Sequence, residues 1–362
     1  MPAKAAQWRA DRVERLSAVR GVNYLPSWSR SAYDAWGIRM EREQLARELG
    51  YATSLGFDAI RVWLALDEHG DVQAFVSQIG VLLDAAYACG LTVVLVLFDS
   101  CGCKYESDAK QIRVETLPAL ASPDPRWRQL TEWAGDRDLV GPHELIQTPW
   151  VGDPMAVIWN TWRPMPAYGL LLDPAGRRDR REYVEAILTT AAGHPALLAA
   201  ELVNEPFLSP AAQGLDVAPV VQLYQDCYEL AREVAPSVPL GIGAADATDA
   251  VIHDGNLDGE LDFVSTHCYG DADELRAEVA VARNLAGGRP VVLSEWGCFP
   301  GLADEQHEQV YRHRAVALRE LDVAWFAFHL VAGYGPFALS ALIYPNGTMR
   351  PAARFLREHL CP

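Results

Sequence analysis

The chain has 362 residues, half of them hydrophobic and 22% charged, too apolar and too sparsely charged for a disordered polymer. Its 31 basic against 48 acidic side chains leave a net charge of −17, which repels a phosphate backbone and removes nucleic acid from the expected partners. The longest apolar runs, such as Leu91 to Phe98, fall short of the roughly 20 residues that span a bilayer, so no membrane partner is expected either.

The N-terminal stretch, Met1 to Leu16, mixes Ala with Lys, Arg, Asp and Glu and lacks the apolar core of a secretory signal. The expected location is cytoplasmic. Seven scattered cysteines, with Cys101 and Cys103 only two apart, do not form the pattern of a disulfide framework.

In chain order, eight short apolar runs predict strands: Gly21 to Leu25, Asp58 to Leu66, Leu91 to Phe98, Leu197 to Asn204, Leu240 to Ala244, Phe263 to Tyr269, Val291 to Glu295 and Val323 to Leu330. Helical spacing appears at Arg42 to Leu55, Val72 to Cys89, Arg180 to Ala192, Pro219 to Val234, Ala272 to Leu285, Glu305 to Leu321 and Ala352 to Leu360. Several strands are apolar on both faces, as a parallel sheet covered by helices requires. No G-x-G-x-x-G follows the first strand, which argues against a doubly wound dinucleotide-binding sheet. The expected fold is therefore α/β, a single (β/α)8 TIM barrel over residues 1–362.

One long interruption breaks the repeat between the third and fourth strands. It holds Trp127, Trp133, Trp150, Trp159 and Trp162, five of the chain's 11 tryptophans. An insertion at about 104–160 that follows the third strand is expected over the C-terminal face, where such barrels carry their active sites.

Chemistry is expected where polar residues end apolar strands. Glu205 closes the fourth strand in Asn204-Glu205-Pro206, and Glu295 closes the seventh in Ser294-Glu295-Trp296-Gly297. A carboxylate at a barrel mouth is costly unless paired or hydrogen-bonded, so two facing one cavity suggest a reaction that uses both. Glycoside hydrolysis is such a reaction. Asn204 and Glu205 are consecutive, so a regular pleat would send them to opposite faces. Both reach the site only if the strand end bulges.

Together with His267-Cys268-Tyr269 at the sixth strand and Arg61 at the second, these motifs resemble the glycoside hydrolase clan A barrels, most closely the cellulase-like family 5. The resemblance implies a retaining β-glycosidase with Glu205 as general acid/base and Glu295 as nucleophile. It implies further that Asn204 binds the sugar 2-hydroxyl, that Tyr269 and Arg61 orient the nucleophile, and that His267 lines the same subsite. No cofactor and no metal are implied.

Where cellulases of the family commonly carry a histidine after the third strand, this chain has Asp99, a candidate acceptor for a sugar hydroxyl and an argument against cellulose. Phe328 on the eighth strand, or Trp325 after a shift of register, would offer a platform for a pyranose. Asn23, Tyr24, Trp28, Trp63 and Trp296 are further pocket candidates, and Glu201 reads as a buried structural carboxylate. The expected substrate is a small glycoside or oligosaccharide attacked from one end. A transglycosidase or a non-catalytic carbohydrate-binding barrel would use the same scaffold. A metal-dependent hydrolase would need clustered ligands such as His-x-His after the first strand, and none stands there.

Overall fold

The computed structural model describes residues 2–28, 35–36, 40–64, 71–100, 112–113, 139–140, 171–212, 214–298, 304–331, 340–344 and 346–361. The eight apolar runs form strands β1 (Arg20–Asn23), β2 (Ala59–Trp63), β3 (Thr92–Asp99), β4 (Leu197–Asn204), β5 (Leu240–Ala244), β6 (Val264–Cys268), β7 (Val291–Gly297) and β8 (Ala324–Phe328). Each pairs in parallel with the next, and β8 returns to β1 through the register Gly21 to Phe326, so the sheet closes into a barrel. Closure leaves no open edge, and β2 to β7 are buried along their whole length.

The helices of the described residues are α1 (Pro2–Leu16), α2 (Arg42–Ser54), α3 (Val72–Ala88), α4 (Pro174–Ala191), α5 (Leu208–Ala212), α6 (Ala218–Val234), α7 (Ala247–Gly255), α8 (Ala272–Ala286), α9 (Asp304–Leu321) and α10 (Pro351–His359). Local chemistry sets their ends. Asp71 caps α3 by accepting from the N–H groups of Gln73 and Ala74, and Asp271 with Glu274 forms a reciprocal capping box on α8. The fourth helix starts at Pro174 instead of Arg180, because Asp173 caps it and proline suits its first turn. None of these helices is long and apolar enough to cross a membrane. The tryptophan-rich insertion lies outside the described residues, apart from an antiparallel pairing of Ile112–Arg113 with Leu139–Val140.

Strand alternation layers the barrel interior. Ala59, Ala199, Phe263 and Val292 lie in one apolar cluster at its floor, sealed by Leu16 and Val19 at the end of α1. Helix α1 is tied beneath by Arg12, which donates to the carbonyls of Ser237, Ala192 and His194. Two residues further along the same four strands stand Arg61, Glu201, Ser265 and Ser294, all at most 2% exposed. The period of two that builds the floor thus places a polar layer directly above it.

Outside the barrel, His253 on α7 is fully buried, its ring edge-on to Phe207 and Tyr224. Neither ring nitrogen has a hydrogen-bond partner, and burial pushes the imidazole down to about 3. The unfolded chain takes up a proton near the ordinary value of about 6.5 while the folded chain refuses it, so stability falls as pH drops from 6.5 toward 3. His253→Leu removes this liability. Between pH 7 and pH 4.5 the variant should lose about 2.5 kcal/mol less stability than the parent in urea unfolding; equal losses would show that His253 does not carry the effect.

Candidate active site

Arg61 is the hub of the polar layer. The alternation of β2 turns it inward, where it is fully buried. Its Nε donates to Glu201 Oε2 at 2.9 Å, and one terminal nitrogen donates to Asn23 Oδ1 at 3.0 Å and Glu295 Oε1 at 2.7 Å. The other donates to Asn204 Oδ1 at 2.7 Å and lies 2.7 Å from Glu201 Oε2. A guanidinium donates from three nitrogens, and these contacts engage all three. Burial works against its charge, but Glu201 and Glu295 outweigh that and hold Arg61 above its ordinary value. Gly243 on β5 makes room: a Cβ there would lie 2.7 Å from Glu201 Oε2 and 2.8 Å from the Arg61 guanidinium.

Both glutamates follow breaks in strand register. The β4–β5 pairing shifts between Glu201 and Asn204, and Glu205 then adopts φ +44°, with its N–H bonded to Gly243 O at 2.7 Å. That left-handed backbone is strained for a residue with a side chain, at roughly 1–3 kcal/mol. It lets Asn204 and Glu205, though consecutive, both join the cluster, as the expected bulge requires. On β7 the pairing with β6 jumps from Thr266–Leu293 to His267–Glu295. Ser294 is the extra residue, and it and Glu295 both turn inward, Ser294 to Ser265 and Glu295 to Arg61.

His267 lies between the two carboxylates. Its Nδ1 is 2.9 Å from Glu205 Oε1, and its Nε2 is 3.5 Å from Glu295 Oε1. Burial lowers the imidazole's affinity for a proton, but the two glutamates prevail and raise it above its ordinary value. Glu295 Oε2 accepts from Tyr269 Oη at 2.7 Å. Burial, with Glu295 adding to it, pushes the Tyr269 phenol well above its usual range, so it remains a donor.

Asn204 accepts from Arg61 and donates to Asp99 at 3.1 Å, so Asp99, expected to accept a sugar hydroxyl, orients Asn204. Asn23 is held by its donation to Ser294 O at 2.9 Å and orients Arg61.

The aromatic candidates divide. Trp63 and Phe328 meet edge-on at 6.1 Å, Phe328 meets Tyr269 at 5.9 Å, and the Arg61 guanidinium lies 4.7 Å from the Trp63 ring centre. The buried indole N–H of Trp63 has no acceptor. Trp296, by contrast, is turned away: it is fully buried and edge-on to Tyr311 of α9 and to Trp325. With the register break at Ser294, the pleat sends Glu295 inward and its successor to the helix layer. Trp325 packs against Phe57 and beneath Arg20, which leaves Phe328 as the aromatic of β8 near the cluster. Tyr24 bonds Glu48 and is likewise apart from the cluster.

The sequence reading missed the partnership of Glu201 with Arg61 and the hydroxyls of Ser265 and Ser294 beside it. Their signal was their inward position, two residues beyond each strand's apolar floor.

Glu205, His267 and Glu295 each offer an atom within 4.8 Å of the others, near enough for a cation. The guanidinium of Arg61 already binds Glu295 Oε1 and brings a fixed positive charge, which disfavours a second cation.

No family model and no curated protein matches the sequence. Solved structures do. GH5_18 from Streptomyces cattleya, in complex with GlcNAc, superimposes with a TM-score of 0.62 at 18% identity over 95% of this chain and 80% of its own. An exo-beta-1,4-mannosidase from Opitutaceae bacterium strain TAV5 gives 0.60 at 17% identity over 94% and 59%. A GH2 beta-galacturonidase from Eisenbergiella tayi, bound to galacturonate, gives 0.57 at 11% identity over 95% and 51%. The chain thus spans only about half to three-fifths of the last two. At such identities what is shared with these glycoside hydrolases is the fold, the eight-stranded barrel on which this chain assembles its two glutamates.

Proposed function

We propose that the protein is a retaining β-glycosidase of clan A type, closest to the cellulase-like family 5, with Glu295 as nucleophile and Glu205 as general acid/base. The observation that carries this reading is the approach of Glu205 and Glu295 oxygens to within 4.8 Å. Retaining enzymes hold their carboxyls about 5–5.5 Å apart, whereas inverting enzymes need about 6.5–9.5 Å to admit a water.

Their surroundings divide the labour. Two donors, Arg61 and Tyr269, converge on Glu295 and stabilise it as an anion. Glu205 faces His267, a partner able to share a proton. In the first step Glu295 attacks the anomeric carbon while Glu205 gives its proton to the leaving oxygen. In the second, Glu205 takes a proton from water as the water oxygen displaces Glu295, and both carboxylates return to their starting states. Loss of the negative charge on Glu295 in the intermediate favours release of the Glu205 proton, which prepares it to act as base. Trp63 and Phe328 supply apolar faces for the sugar ring.

A screen of aryl β-glycosides (gluco, manno, galacto, xylo) with a strong chelator present tests the reading. Turnover of at least one, undiminished by the chelator, is expected. Turnover of none, or activity lost to the chelator and restored by zinc, would contradict it.

The reading extends to cleavage from chain ends. Its support is in the sequence, where the tryptophan-rich segment follows closely on Asp99, which bonds the site residue Asn204. A soluble β-glucan or mannan should then release mono- or disaccharide with viscosity nearly unchanged; a rapid viscosity fall would mean internal cleavage.

A further inference from the structure

Glu201 takes no part in the steps above, yet it holds the same cation as the nucleophile. It is 1% exposed, and its Oε2 accepts from Nε of Arg61 at 2.9 Å and lies 2.7 Å from one of its terminal nitrogens. Its Oε1 lies 2.7 Å from Ser265 Oγ, which lies 2.6 Å from Ser294 Oγ. A serine hydroxyl has one proton. Since a carboxylate can only accept, Ser265 donates to Glu201 and Ser294 donates to Ser265, so the chain of hydroxyls has one direction and ends on Glu201. The groups that face the Arg61 cation are Glu201 and Asn204 on β4, Glu295 on β7 and Asn23 on β1; Glu295 is faced in addition by Tyr269 and by His267, and beyond these lie Glu205 against His267 and Asp99 against Asn204.

The single positive charge of Arg61 is therefore divided between two buried anions. A cation that served Glu295 alone would hold its electron pair tightly and blunt its attack; no cation at all would leave its buried charge uncompensated. We propose that Glu201 is a positioning residue that sets the share of the Arg61 charge felt by Glu295, with Ser265 and Ser294 setting in turn how much of its own charge Glu201 presents. The catalytic meaning of this device rests on Glu295 as the proposed nucleophile, but its electrostatics can be measured without turnover.

The experiment is a carbon-13 NMR titration of the folded protein with labelled glutamate side-chain carboxyls, the Glu295 signal being identified by its loss in Glu295→Gln. In Glu201→Gln, which keeps the shape and removes the charge, the midpoint of Glu295 should fall by about one pH unit, since Arg61 then serves it alone. In Ser265→Ala, which keeps the Glu201 charge and withdraws a hydrogen bond from it, the midpoint should rise by about half a unit. The acidic limb of kcat/KM should move in the same directions.

If Glu201→Gln does not fold, the rise in Ser265→Ala decides. A midpoint unmoved, or moved the opposite way, in the variants that fold overturns the proposal. The two readings fail separately: shifted midpoints with no aryl glycoside cleaved would sink the glycosidase reading alone, and cleavage with unmoved midpoints would sink charge sharing alone.

Discussion

Glu295→Ala should abolish turnover of every aryl β-glycoside, with kcat falling by about 10⁴-fold or more, because no other carboxylate can form the covalent ester. The fold should survive, since Arg61 keeps its ion pair with Glu201 and its bonds to Asn23 and Asn204. The loss should be independent of the leaving group. Glu205→Ala should behave differently: an activated aryl leaving group departs without a proton, so formation of the intermediate is spared and its hydrolysis becomes slow. A burst of released phenol followed by a slow phase is the expected trace for that variant. If instead Glu295→Ala kept turnover with activated substrates and Glu205→Ala lost it entirely, the two roles would be exchanged.

Arg61→Met carries the largest expected cost to the fold. The variant leaves Glu201 and Glu295 buried without the guanidinium, and it strips Asn23 Oδ1 and Asn204 Oδ1 of the donor they share. Removing one partner of a buried ion pair costs about 3–5 kcal/mol, far more than the pair itself contributes over an apolar replacement. Urea unfolding at pH 7 measures this. Arg61→Lys should recover only part of the stability, since an ammonium cannot match the fork that reaches four side chains. A loss under about 1 kcal/mol would mean that water enters to replace the guanidinium.

The strands were legible because each is a short run rich in apolar residues, and β4 and β5 fall on the expected bounds, Leu197–Asn204 and Leu240–Ala244. That the end of β4 departs from a regular pleat was legible too, since two consecutive polar residues could share one site in no other way; the register break falls just before Asn204 and the left-handed turn at Glu205. The facing of Trp296 was not. A one-residue register break at Ser294 decides which neighbour turns inward, and a motif read as a string of letters does not show where that break falls. Glu201 was seen as buried, but its partner sits on β2, two strands away around the barrel, and only closure brings the pair together across the interior. Helix α7 escaped notice because it is nine residues long, and α1 because its alternating charges hide the apolar end that plugs the barrel floor.

The most direct test of the account is the configuration of the first-formed product. Proton NMR, recorded within the first minutes of hydrolysis of an aryl β-glycoside and before mutarotation, should show the β-anomer alone, the outcome of two successive displacements at Glu295. Initial appearance of the α-anomer would mean a single displacement by water, and would contradict the assignment of Glu295 as nucleophile.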